Sequence, residues 1–133
     1  MPKNIYDLSA FQRALDVVEA VYDVSSRFPP EERYGLTAQI RRASCGICSH
    51  VAEGQGRLTY GEWRQFLSQA RGSLYEVEAQ LFIALRLRYI TEIEQPARIR
   101  IRACAAALAG LIRWVRSKEQ RRQPGNRETR QPR

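Results

Sequence analysis

Along this chain, apolar residues recur at steps of three and four, the period of one helix face, in four separate runs. Leu8, Phe11, Leu15, Val18 and Tyr22 predict a first helix over about 8–26, with Asp7 or Ser9 as N-cap. Phe28-Pro29-Pro30 ends it, because proline lacks the backbone donor and pushes its predecessor out of the helical region. Pro30 then opens a second helix over 30–52, where Glu31 and Glu32 complement the positive end of the dipole. Its core stripe is Leu36, Ile40, Ala43, Ile47 and Val51, and Gly54 and Gly56 supply the stop. Thr59 and Glu62 form a capping box that launches a third helix over 59–88. Its core positions are Trp63, Phe66, Ala70, Leu74, Val77, Leu81 and Leu85. A second box, Thr91 with Glu94, opens a fourth helix over 92–117, with Ile93, Ala97, Ile101, Cys104, Leu108, Leu111 and Val115 inward. No strand pattern and no internal repeat is present. The expectation is an all-α domain over residues 1–117, an antiparallel up-down-up-down four-helix bundle. Residues 118–133 hold no apolar side chain except proline and read as a disordered basic tail.

Charge sharpens this picture. Of 133 residues, 22 are basic and 14 acidic, a net charge of +8, and all but Lys3 and Lys118 of the basic residues are arginine. Arginine's planar, multi-donor head suits phosphate and carboxylate better than lysine does. Arg98, Arg102, Arg113 and Arg116 share one face of the fourth helix, with Ala105 and Ala109 between them. With Arg121, Arg122, Arg127, Arg130 and Arg133 they form a candidate nucleic-acid surface; a solvated face is the equal alternative. The aromatic residues fall mostly on core stripes, so a base-stacking platform is not expected. The N-terminus lacks the apolar segment of a secretory signal, and the weakly charged run 103–112 is about half a membrane span. Three cysteines, an odd number, fit free thiols in a reducing cytoplasm.

The densest cluster of chemistry-bearing residues is Arg41 to Arg57, RRASCGICSHVAEGQGR. Cys45 and Cys48 with His50 fall short of the four ligands zinc needs, the only other soft group being the distant Cys104, and they lack the βαβ setting of a redox pair, so packing is the expected role of the cysteines. His50 reads as a helix-surface hydrogen-bonding residue, with a catalytic pairing to Glu53 the minority alternative. Glu53 sits at the negative end of its helix, and Arg57 is its expected partner. Gly54-Gln55-Gly56-Arg57 follows a helix rather than a strand and is better explained as a helix stop than as a phosphate loop. Folding the second and third helices back about position 56 places Gly46 beside Phe66. It leads to the expectation that Arg42 pairs with Glu76 or with an acid of a neighbouring subunit.

The same residues carry a resemblance. Phe28-Pro29, Glu31-Glu32, Leu36, Gln39, Arg41-Arg42-Ala43 and Gly46 to Arg57, followed by Glu62-Trp63, Phe66-Leu67, Ala70, Gly72-Ser73 and Glu76, resemble the pattern of the bacterial 23S rRNA intervening-sequence proteins. The similarity covers roughly residues 5–90, and the family's serine, proline and asparagine stand here as Gly46, Cys48 and His50. The resemblance implies a cytoplasmic four-helix bundle assembling as a homopentamer. Arg41, Arg42, His50, Glu53, Gly54, Gly56, Arg57, Gly72, Ser73 and Glu76 would be its structural and interface positions. It also implies a distant similarity to the accessory protein of diversity-generating retroelements, a basic pentamer that binds nucleic acid and a reverse transcriptase. The expected function is therefore a non-catalytic, oligomeric nucleic-acid-binding protein, RNA before DNA, needing no cofactor or metal. The alternative is an assembly or adaptor ring that docks another protein.

Overall fold

The computed structural model describes residues 8–121. These form four α-helices, α1 (Ser9–Ser25), α2 (Leu36–Gln55), α3 (Tyr60–Arg86) and α4 (Gln95–Arg121), and one short 3-10 turn at Pro30–Glu32. Among the described residues there is no strand, and the protein is all-α. Each helix packs on two others, α1 and α3 both against α2 and α4, which closes a bundle around one core.

The expected stripe of α2 is buried at every position, Leu36, Ile40, Ala43, Ile47 and Val51. On α3, Trp63, Ala70, Leu74, Val77 and Leu81 are buried as expected, while Leu67 and Ala84 are buried in addition and Phe66 and Leu85 stay half-buried. On α4, Ile112 is buried rather than Leu111. The first helix corrects its expectation most. Its buried face is Ala10, Ala14, Val17, Val21 and Val24, about a third of a turn from the predicted stripe, and Leu15 and Val18 are half-buried with Tyr22 exposed.

Helix ends differ from expectation for physical reasons. Leu8 occupies the cap of α1 without a side-chain bond and Ser9 is already helical, while Asp7 lies outside the described residues. Pro30–Glu32 forms only a 3-10 turn, and α2 starts at Leu36 after Gly35, where a Cβ would run into the Glu32 carboxylate. At the other end α2 continues through Gly54 to Gln55, and Gly56 keeps right-handed angles, so the stop is not a left-handed glycine. Thr59 caps α3 as expected, accepting from the Glu62 amide at 3.1 Å. Thr91 lies four residues before α4, which starts at Gln95 with the Glu94 carbonyl accepting from the Arg98 amide at 3.2 Å, so the expected box does not open this helix. That helix also runs past 117 to Arg121, so the first residues of the expected tail are helical. Glu119 explains the extension: it accepts from Arg64 Nε at 2.8 Å, tying the end of α4 to the start of α3.

One brace joins elements far apart in sequence. Arg88 takes a left-handed conformation, φ 65°, and closes α3 with Arg88 N–H to Leu85 O and Tyr89 N–H to Ala84 O. This turn aims Tyr89 at Glu32, whose carboxylate accepts from the Tyr89 hydroxyl at 2.6 Å and from the Leu36 amide at 2.9 Å. The tyrosine bond, and then the amide bond, hold the Glu32 carboxyl below its ordinary value; the same contact holds Tyr89 above its own. A carboxyl lowered in the fold contributes stability above its unfolded pKa and loses it as pH falls through the folded one. A phenol raised in the fold contributes below its unfolded pKa and loses that as pH rises. The brace is therefore fully made between roughly pH 4.5 and 10. In urea unfolding, Glu32→Gln is expected to lower the midpoint over that window, with the gap to wild type closing below about pH 4. A gap of constant size at every pH would contradict the assignment.

Candidate nucleic-acid interface

Basic side chains concentrate on one helix. α4 carries Arg98, Arg100, Arg102, Arg113, Arg116, Lys118 and Arg121 against a single acid, Glu119, whereas α1 carries Arg13 against Asp16, Glu19 and Asp23. Arg100 turns toward α1 and is used internally, donating to the Asp16 carbonyl at 3.3 Å and lying 3.8 Å from Glu19. Arg98, Arg102, Arg113 and Arg116 are exposed, and among the described residues none of them makes an ion pair or hydrogen bond. Their spacing of three, four and eleven keeps them on one stripe, about 27 Å from Arg98 to Arg116. Arg121 extends the helix end and is exposed; Arg122 lies outside the described residues.

Reading the sequence alone missed two exposed aromatic side chains on α3, one of them beside this stripe. Phe82 is 62 % exposed and Tyr75 61 %, and their spacing of seven puts them on one face of α3. Phe82 lines a groove between α3 and α4 together with Arg98 and Arg102. The signal was present in the run Tyr75, Glu78, Ala79 and Phe82, which lies off the buried face.

The 41–57 cluster does not gather into one site. Arg41 faces inward: its Nε donates to Ser25 Oγ at 2.8 Å, and its guanidinium lies 4.5 Å above the Tyr22 ring, stapling the end of α1 to α2. Arg42 is exposed, and within the chain it pairs with nothing among the described residues, so the expected ion pair with Glu76 is absent. Glu76 is exposed too. The expected pair of Glu53 with Arg57 is also replaced. Arg57 stacks 4.4 Å over the Phe66 ring, and Glu53 lies 4.0 Å from His50 Nδ1, beyond hydrogen-bond length. His50 is half-buried beside Phe66, ring centroids 6.4 Å apart.

The small residues do their work between helices. Gly46 lies against Ser73 rather than Phe66, with a Cβ at position 46 falling 3.2 Å from Ser73 Oγ. Gly54 lies against Trp63 and Phe66, so the register turns about position 59 rather than 56, as the longer α2 requires. Gly56 has room for a side chain, and Gly72 is exposed with nothing near it. Cys45 is exposed. Burial pushes the Cys48 thiol up to about 11 and the Cys104 thiol up to about 12, which leaves both protonated and poorly nucleophilic near neutral pH. Among the described residues no group of three or more His, Cys, Asp and Glu side chains is placed to hold a metal, and no helix is long and apolar enough to cross a membrane.

With this bundle in place, the sequence model of the family described as 23S rRNA-intervening sequence protein matches residues 6–106. The chain belongs to that family. None of the curated proteins compared with it matches. The family match spans α1 to α3 and the first half of α4, so it includes Arg98, Arg102 and the groove, while Arg113, Arg116 and Arg121 lie beyond it.

Proposed function

We propose that this member of the 23S rRNA-intervening sequence family is a non-catalytic, cytoplasmic RNA-binding protein that works as a homo-oligomer. Its RNA-contacting surface is the arginine stripe of α4. The observation that carries this reading is the set of four exposed arginines, Arg98, Arg102, Arg113 and Arg116, that are unpaired among the described residues, the first two beside the exposed Phe82. Arginines kept for structure are used, as Arg41, Arg64 and Arg100 are; these are not. Phosphate contact by such a stripe releases counterions, and an exposed ring beside it lets bases stack without strict sequence choice.

The helices run up-down-up-down in this reading. Contacts between Tyr22 and Cys45, Gly54 and Trp63, and Arg64 and Glu119 support that order. Assembly into a ring, a pentamer by family resemblance, has support of its own. Leu15 and Val18 on α1 are half-exposed, and on α3 Gly72, Ala79 and Ile83 share an outward face. Those faces equally support the second reading, an adaptor ring that docks another protein without nucleic acid.

Titrating salt separates the two readings. The full chain is expected to bind single-stranded and structured RNA at low salt, with affinity falling linearly on a log–log plot as salt rises. A chain ending at Arg121 separates the stripe from the arginines that follow. No binding at low salt, or binding indifferent to salt, would overturn the nucleic-acid reading and leave the adaptor.

A further inference from the structure

We infer that the groove between α3 and α4 is a nucleobase pocket that selects guanine, an inference that rests on the RNA-binding reading and deepens it. The groove holds about 170 Å³. Pockets that enclose a drug-sized ligand span roughly 300–1,000 Å³, so this one takes a fragment of a larger molecule. Its walls are Glu78 and Phe82, one turn apart on α3, and Arg98 and Arg102, one turn apart on α4, over Ile93 and the buried Ile101.

The charges in this groove are the informative feature. Glu78 and two arginines line the same space, and among the described residues no ion pair joins them. Opposite charges on an idle surface are free to meet across a helix contact, as Arg64 and Glu119 do. Here no such pair forms among the described residues, so donors and acceptor both remain for a ligand that carries the complementary groups. A nucleotide does. Its phosphate meets the guanidinium forks of Arg98 and Arg102, and its base lies on the Phe82 ring, whose exposed face otherwise leaves apolar surface in water.

Glu78 decides which base. An ionised carboxylate accepts only, with two oxygens side by side. Guanine alone presents two adjacent donors, N1–H and the N2 amino group, on its Watson–Crick edge. Adenine and cytosine set a ring acceptor next to their amino group, and uracil places one donor between two carbonyls. A carboxylate beside a stacking ring therefore favours guanine, and the remainder of the strand runs along Arg113 and Arg116.

The test uses the full chain and two unstructured single strands of equal length, an oligouridylate and one carrying isolated guanosines, followed by fluorescence anisotropy. Wild type is expected to bind the guanosine strand on the order of tenfold tighter. Glu78→Gln should erase that preference by bringing guanosine-strand affinity down to that of oligouridylate. Phe82→Ala and Phe82→Leu should each weaken both strands roughly 5- to 100-fold, the loss of a stacking ring. Both positions are at least partly exposed, and thermal melts of each variant check the fold. Salt-sensitive binding with no guanine preference, or a preference that survives Glu78→Gln, overturns the pocket and leaves the RNA reading standing. Failure of wild type to bind either strand at low salt overturns both.

Discussion

Trp63→Ala is expected to destabilise the bundle by about 3–5 kcal/mol, the usual range for emptying a buried tryptophan site. Trp63 is buried where three helices meet. Its ring stacks on Tyr60 with centroids 6.3 Å apart, meets Trp114 edge-on at 5.7 Å, and lies against Gly54 of α2. Stability of a domain is on the order of 5–15 kcal/mol, so this single change removes a large share of it. Gly54→Ala in the wild-type background is expected to cost about 1–3 kcal/mol by overpacking. The new Cβ would fall 2.7 Å from Trp63 Cδ1, 3.1 Å from Phe66 Cβ and 3.3 Å from the Trp63 carbonyl, and two of those three atoms cannot swing away. In the Trp63→Ala background the nearest obstacle is gone, and alanine is the better helix former by roughly 1 kcal/mol. Gly54→Ala should then cost less than it does in wild type, the remainder coming from Phe66 Cβ and the backbone carbonyl at position 63, which still crowd the new Cβ. A double-mutant cycle by chemical unfolding reads this coupling; simple additivity of the two changes would show that Gly54 is not there for close approach to Trp63.

Replacing Arg98, Arg102, Arg113 and Arg116 together by glutamine is expected to lower RNA affinity roughly 100- to 1,000-fold near 0.1 M salt. Each phosphate neutralised on a single strand contributes a slope of about 0.7 to the salt dependence, so losing four contacts should flatten it by about 3. Slope distinguishes this from unfolding, which would abolish binding at all salt concentrations. Among the described residues these side chains make no ion pair or hydrogen bond to lose, so the variant's melting temperature should stay close to wild type. Equal numbers of glutamines at Arg33, Arg71, Arg86 and Arg88, exposed arginines off α4, form the control. If the control set lowers affinity as far, the stripe has no special role and the binding reports net charge alone.

Most elements were legible before any coordinates, because each helix carries its own signals. The α2 stripe is unambiguous: one set of large apolar residues recurs every three or four positions with nothing to compete. Thr59 as a cap is equally local. The first helix shows where such reasoning fails. It holds two apolar stripes at helical spacing, and the one with the larger side chains is not the buried face. Close approach to α2 and α4 favours the stripe with Ala10 and Ala14, and no feature internal to the segment expresses that. Thr91 and Glu94 have the spacing of a capping box, yet the Arg88 turn and the path to Tyr89 delay α4 until Gln95.

Charge partners were the least legible feature. Glu53 was expected to find Arg57, Arg42 to find Glu76, and both pairs are absent within the described chain. Local pairs do form on and beside α1, Arg13 with Asp16 and Arg27 with Asp23, but Glu32 with Tyr89 and Arg64 with Glu119 join residues 57 and 55 positions apart. A long, flexible charged side chain reaches whatever the fold brings near, and sequence proximity carries little of that information.

By itself, the sequence determined the four helices, most of their buried faces, the all-α class and the family, since periodicity, caps and the motif from Phe28 to Glu76 are properties of neighbouring residues. Only the tertiary structure decided which arginines are consumed by the fold and which remain, and that Phe82 and Glu78 meet Arg98 and Arg102 across one groove. Those outcomes depend on the rotation and register of one helix against another. Packing of the whole core sets these, and no single helix encodes them.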